Sequence, residues 1–192
     1  MYYRFSLLLL AAVITACSST GGEQLPAERY YYLNNTVDDN QAQRGLDKVP
    51  PMQLSLAHVP GYLKQNKLVM QRGNYELVYA NYHLWSEVPA ISLLQALLTD
   101  LNNLQSDYYI TPLCQACKSI ALSISRFHSS MDGEVVLSGS YQISDAEGQQ
   151  QLQQAFSFSE DLSEGGYNEV VAKMRVLMGK LASHIQQTLA ET

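Results

Sequence analysis

The sequence predicts an α+β fold: a mainly antiparallel sheet with two helices packed on one face, in a single domain. Short segments that alternate apolar and polar residues are separated by Gly-containing turns, which is typical of antiparallel strands. Two longer segments, near residues 86–103 and 168–190, instead repeat apolar side chains at helical spacing. The order of strands, helix, strands, helix then favours two layers around one core.

The first half of the chain predicts four strands, of which the last two form a hairpin around Gly73 and Asn74. Polar residues 34–51 interrupt the series and predict a long surface loop. Pro60 and Gly61 are expected to end the second strand. The predicted strands are residues 29–33, 53–59, 67–72 and 75–81.

The first helix is predicted to follow Ser86, because serine is a favourable N-cap residue and Pro89 suits a first helical turn. Its apolar stripe is wide, which indicates extensive burial against the sheet. The stripe consists of Ile91, Leu93, Leu94, Leu97, Leu98, Leu101 and Leu104.

The second half predicts a short strand, a three-stranded antiparallel meander with one apolar face, and a closing helix. Asp132-Gly133 and Glu147-Gly148 are the turns of the meander, and Gly165-Gly166 precedes the helix. The predicted strands are residues 108–111, 118–128, 134–143 and 152–158, and the helix covers residues 168–190.

The amino terminus has the successive regions of a lipoprotein signal peptide. Arg4 supplies a positive n-region, and residues 5–13 form an apolar h-region shorter than the about twenty residues of a membrane-spanning helix. Ile14-Thr15-Ala16-Cys17 resembles the bacterial lipobox, in which the cysteine is lipidated and becomes the new amino terminus. An ordinary secretory signal with an incidental cysteine, or a short anchor, is the alternative. The expected segments are a signal peptide at 1–16, a lipidated tether at 17–27 and a periplasmic domain at 28–192.

The chain is acidic: its formal net charge of −6 becomes −7 when Arg4 leaves with the signal peptide. Because there is no basic run, nucleic acid and anionic lipid headgroups are not expected partners. Ser18 stands where an aspartate would resemble an inner-membrane retention signal. The expected location is therefore the outer membrane, with the domain facing the periplasm.

Cys114 and Cys117 are the remaining cysteines, and an oxidising periplasm favours a small structural disulfide between them. A thioredoxin-like redox pair would begin a helix after a strand, whereas a strand pattern follows here. A zinc site would need two further ligands, and no second cysteine pair or His-x-x-x-His supplies them. No metal or cofactor is expected.

Sequence motifs for catalysis are scarce. Ser138-Gly139-Ser140 lies within a predicted strand and lacks the strand-turn-helix context of a nucleophile elbow. The histidines at 58, 83, 128 and 184 show neither metal nor triad spacing. The sequence therefore predicts a protein that is not an enzyme, and a periplasmic hydrolase is kept as an alternative because triads assemble in space.

An ordered set of segments extends across nearly the whole mature chain. The segments are the lipobox, Tyr30-Tyr31-Tyr32-Leu33, Val59-Pro60-Gly61-Tyr62-Leu63, the 75–81 strand, Leu84-Trp85, residues 133–139 and Gly166-Tyr167. In this order and spacing they resemble the PqiC-type ABC-transport auxiliary lipoproteins, although Cys114 and Cys117 are not part of the family pattern.

The resemblance implies an outer-membrane lipoprotein that works with a PqiB-like MCE-domain transport protein of the inner membrane. The pathway would carry phospholipid or other hydrophobic cargo between the membranes and support envelope integrity. The auxiliary subunit would dock the tunnel protein and form a homo-oligomer. A structural lipoprotein for outer-membrane assembly, without a transport role, is the alternative.

Three residues are candidates for contact with a partner or cargo. Tyr62 and Leu63 follow Pro60-Gly61 in a predicted loop, where exposed aromatic residues often bind a partner, and packing and contact are equally favoured. Trp85 lies just before the first helix, and for this residue packing between helix and sheet is favoured over contact.

Overall fold

In the part of the chain that the structure describes, eight strands form a single sheet, and two helices pack on one of its faces. The computed structural model describes residues 25–34, 49–104 and 107–191, so the predicted signal peptide, Cys17 and most of the predicted tether lie outside the described residues. The elements are β1 (Arg29–Tyr31), β2 (Pro51–His58), β3 (Lys67–Arg72), β4 (Glu76–Trp85), α1 (Pro89–Asn103), β5 (Tyr109–Thr111), β6 (Ser119–Ser130), β7 (Glu134–Ser144), β8 (Gln150–Asp161) and α2 (Tyr167–Ala190). The predicted α+β class is confirmed.

The sheet is mixed, with its longest pairings antiparallel. The predicted meander of β6, β7 and β8 and the predicted hairpin of β3 and β4 are both present. β2 and β3 run parallel to β6 along successive parts of the same edge, where Leu54 pairs with Ile120 and Met70 with Ser129. β1 lies parallel to β4, and β5 parallel to β2. The parallel pairings were not predicted, because side chains alternate with the same period in parallel and antiparallel strands.

The core lies between the sheet and the two helices, and apolar residues from both layers fill it. Residues with no exposed surface include Leu54, Leu93, Leu97, Leu101, Ile120, Leu122, Leu137, Leu177, Leu181 and Ile185.

A bidentate ion pair joins the two helices. Arg175 Nη1 donates to Asp100 Oδ2 at 2.7 Å, and Arg175 Nη2 donates to the second carboxylate oxygen of Asp100.

The start of α1 differs from the prediction. Val88 occupies the N-cap position and makes no side-chain capping bond, so the assignment of Ser86 as N-cap was wrong. The Ser86 backbone N–H instead donates to the carbonyl of Tyr31 at 2.8 Å, which keeps residue 86 in the extended ladder between β1 and β4. β4 therefore continues to Trp85, four residues beyond its predicted end.

Candidate partner-binding surface

Tyr62 lies in a single 3₁₀ turn, Gly61–Lys64, between β2 and β3. This turn passes the middle of β6, between the parts that pair with β2 and β3. The Tyr62 hydroxyl accepts a hydrogen bond from the Phe127 backbone N–H at 2.9 Å, and so replaces the carbonyl that a paired strand would offer. Burial raises the pKa of the Tyr62 hydroxyl, which keeps it protonated.

Around Tyr62, apolar and aromatic side chains cover part of the sheet face opposite the helices, which we call the outer face. We define the outer-face patch as Tyr62, Val69, Leu77, Tyr79, His128 and Val136. His128 pairs across the strands with Val136, Val69 pairs with Tyr79, and the Tyr62 and His128 rings meet edge to face at 5.8 Å.

The outer-face patch is partly open to solvent. Val69 and Val136 are buried, whereas Leu77 and Tyr79 are 39% and 37% exposed. Burial lowers the pKa of His128, and the charge of Arg126 lowers it further. The patch therefore presents neutral side chains at neutral pH.

Beyond the patch, the outer face of β7 and β8 carries small uncharged side chains. Leu137, Tyr141 and Phe156 point into the core, so the residues that alternate with them point outward. The outward residues between 136–144 and 151–159 are Val136, Ser138, Ser140, Gln142, Ser144, Gln151, Gln153, Ala155, Ser157 and Ser159. Arg126 of β6 lies on the same face, where its Nε donates to Ser138 Oγ at 3.0 Å. A partner on this face would therefore meet a mostly uncharged surface with one cation near its middle.

Leu63 and Trp85 do not reach the surface of the described chain. They are 2% and 4% exposed, and both belong to the main core. Of the three residues predicted as partner or cargo contacts, Tyr62 alone borders an open surface, and contact through Tyr62 stays a prediction.

Cys114 and Cys117 form a disulfide in the structure, with their Cα atoms 6.1 Å apart. The bond closes a loop between β5 and β6, and Leu113 beside it is 84% exposed. Oxidation of this pair in the periplasm stays a prediction.

A second aromatic group, which the sequence patterns did not bring together, lies where β1, β4 and α2 meet. The Tyr31 hydroxyl shares a hydrogen bond of 2.7 Å with His83 Nδ1, and the Tyr167 ring stacks on His83 at 3.8 Å. Burial and the charge of Arg29 lower the pKa of His83. The group holds the first strand against the start of α2, and its members are too far apart in sequence for any spacing rule to connect them.

Removing the Tyr62 hydroxyl should destabilise the fold. In Tyr62→Phe the Phe127 N–H loses its acceptor in a part-buried position, which costs about 1–3 kcal/mol in the free energy of unfolding. Urea denaturation followed by circular dichroism measures this change. Tyr79→Phe, which removes a more exposed hydroxyl from the same patch, should stay within about 0.5 kcal/mol of the unchanged protein. Equal effects from both substitutions would contradict the bridging role of Tyr62.

Comparison with known proteins identifies the family. The model of the ABC-type transport auxiliary lipoprotein component matches residues 31–186, which include β2 to β8, α1, most of α2 and the outer-face patch. The chain belongs to this family. The predicted resemblance to PqiC-type auxiliary lipoproteins is thus confirmed.

Relatives of known name are similar to this chain in sequence, and solved structures are similar to it in fold. The intermembrane transport lipoproteins PqiC of Escherichia coli K12 and Shigella flexneri are each 26% identical over 133 residues, covering 68% of this chain and 70% of theirs. A solved structure of an uncharacterized protein matches with a TM-score of 0.72 at 21% identity, covering 85% of this chain and 99% of its own. A Xanthomonas campestris protein matches with a TM-score of 0.67 at 11% identity, covering 84% and 95%. These structures share the fold.

Two further properties concern the described residues. No group of three or more His, Cys, Asp or Glu side chains within them is arranged to hold a metal ion. Neither helix described here combines the length and apolar character of a membrane-spanning segment.

Proposed function

We propose that this lipoprotein is the outer-membrane subunit of a Pqi-type intermembrane transport system, anchored through Cys17, and that it docks an MCE-domain tunnel protein. The family match over residues 31–186 carries the proposal, because it places nearly the whole folded domain in a transport auxiliary family. The name of the PqiC relatives supports intermembrane transport as the process. Phospholipid cargo and a homo-oligomer are further parts of the proposal.

The outer face is the surface that we assign to docking. Three strands of eleven or twelve residues span roughly 40 by 15 Å at standard strand dimensions, or about 600 Å². Adding the outer-face patch brings this area close to the roughly 800 Å² per partner of a standard protein interface. The opposite face is covered by α1 and α2, so among the described residues the outer face is the broad sheet surface that remains for a partner.

A charge placed in the middle of the outer face tests this assignment. Ser157 is exposed and points outward from β8, so Ser157→Arg should leave the isolated domain folded. Within a docked interface the new charge would be buried without a partner, at a cost of about 3–5 kcal/mol. Capture of the MCE protein from crosslinked envelopes should therefore fall by at least tenfold, measured by quantitative mass spectrometry.

Ser183→Arg is the matched control, because Ser183 is exposed on α2 at the other side of the molecule. This variant should capture as much MCE protein as the unchanged chain. If Ser157→Arg also captures normally, the outer face is not the docking surface. If the unchanged chain captures no MCE protein, the proposed transport role fails, and a structural envelope role becomes the better account.

A further inference from the structure

Three chain reversals lie together at one end of the sheet, which we call the turn end. They are the β3–β4 turn at residues 73–75, the β6–β7 turn at residues 131–133 and the β8–α2 loop at residues 162–166. The Met131 N–H donates to the Gln71 carbonyl at 2.8 Å, and the Leu162 N–H donates to the Gly133 carbonyl at 2.7 Å. These bonds join the three reversals into one continuous surface.

The turn end exposes apolar side chains around a cavity. Tyr75, at the tip of the β3–β4 turn, is 99% exposed, and Met131, at the tip of the β6–β7 turn, is 45% exposed. A cavity of about 430 Å³ opens between the β6–β7 turn and the start of α2. Its apolar lining comes from Met70, Met131, Leu162, Tyr167 and Val170. Nothing in the docking role of the outer face requires these apolar groups.

β1 enters the sheet from the side of the turn end. β4 starts at the turn end, and β1 runs parallel to it, with Arg29 paired to His83. Arg29 therefore lies about 23 Å from the start of β4, and the amino-terminal end of β1 faces the turn end. From residue 17 to residue 25 the chain spans at most about 30 Å, so an anchor at Cys17 keeps the turn end within reach of the bilayer surface.

The charges at the turn end restrict the kind of bilayer that fits. Asp132, Glu134, Asp161 and Glu164 are acidic, while Arg72 is paired with Glu76 at 3.4 Å. Anionic headgroups would be repelled by this surface, whereas zwitterionic headgroups offer a cationic group to the carboxylates. Tyrosine and methionine side chains suit the boundary between headgroups and acyl chains, where an apolar body can be buried beside water.

We propose that the turn end is a second, non-covalent membrane contact, in which Tyr75 and Met131 enter the headgroup region of a zwitterionic bilayer. The contact rests on the proposed anchor at Cys17, because the tether supplies the proximity. It would orient the domain with the Cys114–Cys117 loop at the far end, about 40 Å away along the twelve residues of β6.

Depth-dependent fluorescence quenching tests the contact. The mature lipidated protein is reconstituted in phosphatidylcholine vesicles that contain doxyl-labelled phosphatidylcholine. Tyr75→Trp places a reporter at the turn end, and Leu113→Trp is the matched control, because Leu113 is 84% exposed at the opposite end. The native Trp85 is 4% exposed and provides the background signal. We expect most of the fluorescence added by Tyr75→Trp to be quenched, and the fluorescence added by Leu113→Trp to be unaffected. In phosphatidylglycerol vesicles, the quenching of Tyr75→Trp should be weaker.

Quenching of both variants, or of neither, would overturn the contact. Quenching that depends on protein density, together with crosslinked dimers, would assign the turn end to a second copy of the chain and would also overturn it. Mass spectrometry of the same sample reports the acyl groups at residue 17. A lipidated protein without quenching at position 75 therefore refutes the membrane contact alone, and an unlipidated protein refutes the proposed anchor.

Discussion

Gly139→Ala should be among the most destabilising single substitutions in the sheet. A Cβ atom built at Gly139 would lie 2.1 Å from the Ser123 carbonyl oxygen and 3.0 Å from Phe156 Cζ. Gly139 pairs with Ile124 on one side and Phe156 on the other, next to the register shift in β6, so the adjacent strand must move to admit a methyl group. We expect a loss of about 1–3 kcal/mol or more in the free energy of unfolding, measured by urea denaturation.

Gly179→Ala is the matched control, with the opposite expected sign. A Cβ atom at Gly179 meets nothing within 4 Å outside its own helix, and the residue lies in the interior of α2. Because alanine is the better helix former, this substitution should stabilise the protein by about 0.5–1 kcal/mol. A Gly139→Ala variant as stable as the unchanged protein would show that β6 and β7 are not packed as closely as described.

Most of the fold was predictable because the patterns that define its strands, turns and helices each lie within a short stretch of sequence. Alternating apolar residues and Gly-containing turns define the meander and the hairpin, and the apolar stripes define both helices. The role of Gly139 was not predictable. From the sequence, Ser138-Gly139-Ser140 could be judged only as a poor nucleophile elbow, because the Ser123 carbonyl and the Phe156 ring approach it from other strands. The parallel pairings were not predicted for a related reason, since they depend on how the connections between strands run through space.

The candidate surface was predictable in part. The predicted loop after Pro60 and Gly61 made Tyr62 a candidate contact residue, and in the structure Tyr62 belongs to the partly open outer-face patch. Leu63, its neighbour in sequence, turns into the core because a 3₁₀ turn directs successive side chains to different sides. No linear pattern could show that Tyr62 bonds to Phe127, sixty-five residues away, or that His128 lies beneath its ring.

Cys17→Ser should have the largest effect on location. The lipobox resemblance implies three acyl chains on the mature amino terminus, and each buried methylene contributes about 0.8 kcal/mol to membrane binding. A serine at this position cannot form the thioether, so the chain should be almost absent from the outer-membrane fraction. Density-gradient separation of envelopes, followed by immunoblotting and by mass spectrometry of the amino terminus, measures this loss.

Cys114→Ser is the control for Cys17→Ser, because it removes a thiol from the loop between β5 and β6 and leaves the lipobox intact. This variant should remain in the outer membrane with its acyl groups, and lose only the modest stability that a short disulfide loop contributes. If Cys17→Ser fractionates with the outer membrane as the unchanged chain does, the attachment cannot depend on a thioether at residue 17.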